Sequence, residues 1–168
     1  TDYHATALRF ATAFGLSPRM RFDLTVAEFV REMFLGRELV VYDADTWRPY
    51  CHVADFAELI RRVLEAPVDK VDFQVFNAGG DANNLTKRSL VDEILQHLPA
   101  AKVRYQEHGA DPRNYRVDFA RVRETLLFEP GYGVADGIRE LLSALGQRLF
   151  DSVDAAPQFY GNRTIDYP

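Results

Sequence analysis

Arg48-Pro49-Tyr50-Cys51-His52-Val53-Ala54-Asp55 is the stretch whose reading decides the fold. It follows the apolar run Glu38-Leu39-Val40-Val41-Tyr42 and an acidic turn, Asp43-Ala44-Asp45-Thr46. A strand-like run, a tight polar turn, one arginine and a short aromatic and β-branched segment leading into a helix present a guanidinium at the mouth of a site. An arginine fork meets phosphate bidentately, where lysine offers only a point charge. The competing reading is a surface arginine paired with Asp43 or Asp45; on this stretch alone both stand.

Working outward, the 168 residues fit one domain able to bury a core of its own. Hydrophobic residues at 47% and charged residues at 27% are ordinary for a soluble globular protein. A net charge of -5 without a basic tract argues against a nucleic-acid partner. The single cysteine, Cys51, excludes an internal disulfide and fits a reducing compartment. No run approaches the roughly 18 to 20 apolar residues of a spanning helix, and no basic segment followed by an apolar one opens the chain. The expectation is a soluble, cytoplasmic protein with no membrane partner.

Residues 6 to 14 are apolar and end at Gly15, which reads as one buried strand. Asp23 or Thr25 can cap the helix that follows, whose apolar positions are Val26, Phe29, Val30, Met33 and Phe34. A second helix is expected from Val53 to about Glu65, with Phe56, Ile60, Val63 and Leu64 as its buried stripe. A strand over Phe73 to Asn77 ends in Ala78-Gly79-Gly80, and Thr86 opens a helix built on Leu90, Val91, Ile94, Leu95 and Leu98. Lys102 to Gln106 alternates as a half-buried strand. Phe119, Val122 and Leu126 mark a short helix, and Val134, Ile138, Leu141, Leu142, Leu145 and Leu149 a longer one. Residues 151 to 168 are rich in Asp, Pro, Gly and Asn and read as an extended tail.

Several chemistries are absent. His4, His52, His97 and His108 with Cys51 give no metal-ligand spacing and read as structural or surface groups. There is no nucleophile elbow and no phosphate loop of the Walker type. The glycines at 131, 133 and 137 lack a preceding strand and have the wrong spacing for a dinucleotide fingerprint, so they read as a turn.

The pattern Arg48-Pro49-Tyr50-x-His52-Val53-x-Asp55 resembles a segment of the extended short-chain dehydrogenase/reductase family, the NAD-dependent nucleotide-sugar epimerases and dehydratases. Four further matches follow in the family's order. They are Leu8 to Gly15, Phe76-Asn77-Ala78-Gly79, Asp111-Pro112-Arg113-Asn114-Tyr115-Arg116-Val117-Asp118, and Leu126 to Pro130 with Gly137-Ile138-Arg139-Glu140. The resemblance implies an α/β fold: the C-terminal part of a Rossmann-type enzyme, with the last sheet strand or strands joined to a small mixed α/β substrate-binding domain. Residues 1–150 would be the nucleotide-sugar-binding portion, 5–15 a strand of a missing cofactor domain, and 151–168 the tail.

The family's glycine-rich pyrophosphate turn and its Tyr-x-x-x-Lys pair are not found here, since none of the tyrosines has lysine four residues on. The resemblance therefore implies that NAD, or NADP, and the catalytic pair belong to an N-terminal half, and that this chain alone is inactive and holds no cofactor. In the whole enzyme bound NAD would oxidise a sugar carbon. Phe10, Ala11 and Thr12 would lie beside the nicotinamide, with Thr12 also facing the sugar where many members carry Asn. Thr25 and Val26 would open the helix over the nucleotide, Tyr42 would stand at the base, and Arg48 would hold the diphosphate. A second phosphate arginine of many members falls at His108, a task Arg113 could take over, although Arg113 could equally pair with Asp111 or Asp118. The partners implied are a nucleotide-diphosphate sugar, the N-terminal half and a second copy of the chain. The alternative is a non-catalytic module that binds nucleotide sugar or a protein partner without a redox half.

Overall fold

β-Branched and aromatic runs become short parallel strands, and the amphipathic segments between them become the helices that cover those strands. The structure, a computed structural model, describes residues 3–107 and 113–162. Strand β1 (Thr6–Phe10) pairs in parallel with β5 (Gln74–Ala78), with Arg9 beside Asn77 and Phe10 beside Ala78. Strand β4 (Trp47–His52) is the middle of a three-stranded sheet. It runs parallel to β2 (Thr12–Phe14) and antiparallel to β6 (Asn84–Thr86). Strand β3 (Leu39–Tyr42) runs parallel to β7 (Val103–Gln106). Parallel pairing needs crossovers, and these are supplied by helices α1 (Thr25–Phe34), α2 (Val53–Glu65), the short α3 (Val68–Val71) and α4 (Lys87–His97). Helices α5 (Ala120–Leu126) and α6 (Val134–Gly146) follow. No described helix is long and apolar enough to cross a membrane.

The expected single strand over residues 6 to 14 is two. The chain passes from one sheet to the other at Ala11, whose amide still donates to the Ala78 carbonyl at 3.1 Å. A side chain without bulk is needed there, because Ala11 lies close against Gly79. Two apolar cores result. One gathers Phe14, Val30, Val41, Tyr50, Val91 and Ile138; the other gathers Leu59, Phe76, Phe119, Val122 and Phe128.

Helix α2 is rotated from the expected stripe. Asp55 and Leu59 are buried, whereas Ile60 is 43% and Leu64 80% exposed. The cause is Asp55, whose carboxylate accepts from the Gly131 and Tyr132 amides at 2.8 and 3.3 Å and so turns the Asp55, Leu59, Val63 face inward. Leu149 lies beyond the end of α6 and is exposed.

The described part of the expected extended tail folds back instead. Val153 is buried, Pro157–Tyr160 forms a helical turn (α7), and the Tyr160 ring meets Phe22 and Phe150. The Tyr160 carbonyl accepts from the Phe22 amide at 2.7 Å, and the Asn162 amide donates to Asp23 at 2.9 Å. Asp154 bridges Arg31 and Arg37 at 2.8 and 2.9 Å. Composition reads this segment as solvated because its apolar anchors are sparse, yet each finds a partner.

Asp23 accepts two hydrogen bonds from Arg21, both at 2.7 Å, which with the Asn162 amide hold its carboxyl down to about 2 against the ordinary 3.8. A carboxyl depressed in the fold stabilises fully above its unfolded pKa and loses that contribution as pH falls through the folded value. Asp23→Asn is therefore expected to lower stability by about 2 kcal/mol at neutral pH, and by progressively less as pH falls from roughly 4 to 2. Urea unfolding across that range checks it; a deficit that stays constant on acidification would contradict it.

Candidate functional site

Strand β4 places its residues alternately on two faces. Arg48, Tyr50 and His52 share one of them, and His52 meets Phe14 of β2 edge to face at 5.1 Å. Thr12 is in register with Tyr50 across the β2–β4 pair, so its side chain rises beside the tyrosine. Arg48 is 8% exposed. One of its guanidinium nitrogens donates to the Trp47 carbonyl at 2.8 Å, and the group lies 5.9 Å from the centre of the Tyr115 ring. Asp45 does not hold it as the competing reading allowed: Asp45 takes Arg88, at 2.8 and 3.0 Å.

Tyr50 is wholly buried, and its hydroxyl has no hydrogen-bond partner. Burial pushes the phenol up to about 12, while the Arg48 charge and the neighbouring Thr25 hydroxyl act in the opposite direction. Thr25 is thus close enough to influence the phenol without reaching good hydrogen-bond geometry. A buried hydroxyl in this state is uncommon in a fold and calls for an explanation. The start of α1 beside it is open as well. Leu24 occupies the cap position and offers no side-chain acceptor; Asp23 is engaged by Arg21 and Asn162, and Thr25 is already the first helical residue. The expectation that Asp23 or Thr25 caps α1 is corrected accordingly. Uncapped amides at a helix start attract anions.

The structure thus brings Thr12, Thr25, Tyr50 and Arg48 together at one helix start. Val26, the second residue of α1, is buried. Tyr42 ends β3 across the 43–46 turn, and its carbonyl accepts from Lys87 at 2.8 Å, which anchors that strand end to α4. Arg113 is exposed at the start of a segment stitched to β4: the Trp47 amide donates to Asn114 at 2.9 Å, and the Tyr115 amide donates to the Trp47 carbonyl at 3.3 Å. His108 lies outside the described residues, as do Asp111 and Pro112. Phe10 and Ala11 stand apart from this group and line an adjoining open cleft of about 420 Å³ together with Tyr115 and Phe119. Tyr50 carried no assigned role in the sequence reading, although its spacing of two from Arg48 on a strand puts both on one face.

The remaining residues of the opening stretch serve the frame. The His52 Nδ1 accepts from the Ala54 amide at 3.1 Å and caps α2, so Nε2 carries the proton shared with Glu140 at 2.9 Å. Tyr132 stacks on the imidazole at 4.3 Å. Cys51 is buried, and its thiol is pushed up to about 12 by burial and by Asp55; it is not a nucleophile. No cluster of three or more metal-ligating side chains occurs among the described residues.

Known proteins resemble this chain in sequence and in fold. The sequence profile of the NAD dependent epimerase/dehydratase family matches residues 1–79. UDP-glucuronic acid decarboxylase 1 of Arabidopsis thaliana is 28% identical over 160 residues, which is 89% of this chain and 35% of that protein. UDP-glucuronic acid decarboxylase 5 of the same plant is 26% identical over 147 residues, 82% of this chain and 41% of its own length. The chain therefore spans between a third and a little over two fifths of such relatives. Among solved structures, UDP-glucuronic acid 4-epimerase from Bacillus cereus, in complex with UDP-glucuronic acid and NAD, superposes with a TM-score of 0.72 at 18% identity, over 85% of this chain and 45% of that one. dTDP-glucose 4,6-dehydratase from Bacillus anthracis, in complex with NAD, gives 0.70 at 24% over the same shares. These likenesses show the fold: a mixed α/β architecture with parallel strands, like that of Rossmann-type short-chain dehydrogenases.

The Asp55 carboxylate is expected to matter to the frame alone. Asp55→Ala removes the buried acceptor of the Gly131 and Tyr132 amides and should cost about 2 kcal/mol; calorimetric melting measures it, and an unchanged melting temperature would refute the assigned role.

Proposed function

We propose that this chain is the nucleotide-sugar-binding part of an NAD-dependent epimerase or dehydratase, and that the open start of α1 with Tyr50 and Arg48 grips the diphosphate. The observation that carries the reading is the convergence on one spot of uncapped helix amides, a buried hydroxyl without a partner, and an arginine that is 8% exposed. Each accepts or favours an anionic oxygen, and an arginine with little solvent around it gives such a contact more strength than a surface arginine can. The family profile over residues 1–79 and the nucleotide-sugar enzymes among the relatives support the same assignment.

In this reading Thr12 faces the sugar, Tyr42 stands by the base, and Arg113 takes over the diphosphate contact that falls at His108 in the order of the family's motifs. Phe10 and Ala11 fit a flat apolar ring, since Phe10 lies at 4.2 Å from Phe56 with 41% of its surface still open to the cleft. The sequence carries no glycine-rich turn for the dinucleotide pyrophosphate and no Tyr-x-x-x-Lys pair, and both are assigned in this reading to an N-terminal half. NAD bound there would accept a hydride from the sugar. The residues described here fix the sugar's position and exclude water around its diphosphate, and so supply proximity rather than proton transfer.

Titrating the intact protein with UDP-, GDP-, CDP- and dTDP-sugars identifies the base. Arg48→Ala is expected to weaken binding of the preferred one by about 1.5 to 3 kcal/mol, the scale of a charged hydrogen-bonding partner. Unchanged affinity would remove Arg48 from the site.

A further inference from the structure

The C-terminal segment runs along α1 from its last turn to its start. Asp154 pairs with Arg31 of α1 at 2.8 Å, Val153 is buried, and the Tyr160 ring meets Phe22 and Phe150. At the far end the Tyr160 carbonyl accepts from the Phe22 amide at 2.7 Å. Asn162 is held twice: Arg19 donates to its Oδ1 at 3.1 Å, and its own amide donates to Asp23 at 2.9 Å. The tail therefore reaches the carboxylate that immediately precedes Leu24, the cap position of α1.

A carboxylate so placed is by its charge the natural occupant of a helix start. Acidic groups are drawn to unpaired first-turn amides, and Asp is among the strongest capping residues. Asp23 does not take that role. Arg21 donates to both of its oxygens at 2.7 Å, the Asn162 amide adds a third hydrogen bond, and the side chain is left 3% exposed. Leu24 offers the α1 amides no side-chain acceptor, and the Tyr50 hydroxyl, wholly buried and without a partner, lies beside Thr25 at the same start. Once freed, Asp23 would compete with an incoming anion for those amides and would add its charge to that of Glu28 in the first turn. We infer that Arg21 and the Asn162 amide are positioning groups for the diphosphate site: they withdraw Asp23 from the start of α1 and leave its amides to the ligand, so that the folded-back tail sets the affinity of the site. The inference rests on the diphosphate reading proposed above.

The test measures, by calorimetry on the intact protein, the affinity for whichever of UDP, GDP, CDP and dTDP binds best. Arg21→Gln is expected to weaken it about fivefold and Asn162→Pro, which removes the amide donor, about threefold, while Asp23→Ala stays within about twofold of the unsubstituted protein. In the Asp23→Ala background neither of the other substitutions should cost further affinity. A contact that merely stiffens the loop behaves in the opposite way: Asp23→Ala then weakens binding as much as Arg21→Gln does, and the double variants recover nothing. That result, or no loss in either single variant, would overturn the inference and leave the diphosphate site standing. Asp23→Ala alone separates the two cases, so the test stays decisive if Arg21→Gln folds poorly. Failure of all four nucleotides to bind the unsubstituted protein would overturn both.

Discussion

Asp55 is a carboxylate with 4% of its surface exposed, and a charge so placed survives only where hydrogen bonds replace water. Its two acceptor contacts, to the amides of Gly131 and Tyr132, lock the first turn of α2 to the turn that opens α6. His52 adds a second tie from the same place by capping α2 and meeting Glu140 of α6. Gly15, at φ 104, packs so tightly on the imidazole that a Cβ there would collide with it. These contacts fix the end of β4, the strand on which both other strands of its sheet depend. The position of Arg48 and Tyr50 is in turn a consequence of that fixed end.

The single conspicuous stretch thus divides its labour. Its last residues, His52 to Asp55, build the frame, and its first, Arg48 and Tyr50, face the place where α1 begins. The same segment is held from the other side by Asn114 and Tyr115 at Trp47 and by Asn84, which exchanges hydrogen bonds with the Val117 backbone at 3.0 Å. In the proposed reading, anchors of this kind hold Arg48 and Tyr50 in place and so reduce the cost of ordering on binding.

Much of this was legible in the sequence because local signals and tertiary needs agree. Helical spacing at Val26, Phe29, Val30 and Met33 gives the buried face of α1, and Thr86 caps α4 by accepting from the Ser89 amide. Legibility stops where a long-range partner overrides the local pattern. Asp55 reads as a solvated first-turn acid, so the rotation of α2 follows only once Gly131 and Tyr132 are known to lie above it. Residues 6 to 14 carry no break signal, since Ala11 is as apolar as its neighbours, and the switch between sheets is dictated by β4 and β5 instead. Tyr50 shows no sign in sequence that its hydroxyl will be buried without a partner.

The account stands on the claim that the uncapped start of α1 is where an anionic nucleotide is held. Amide chemical shifts of the isotopically labelled chain, followed while a UDP-sugar is added, address it directly. The account predicts saturable shifts centred on the Thr25 and Val26 amides and on Tyr50, absent when the sugar nucleotide is replaced by the free sugar. Saturable binding whose shifts leave the beginning of α1 untouched would contradict it.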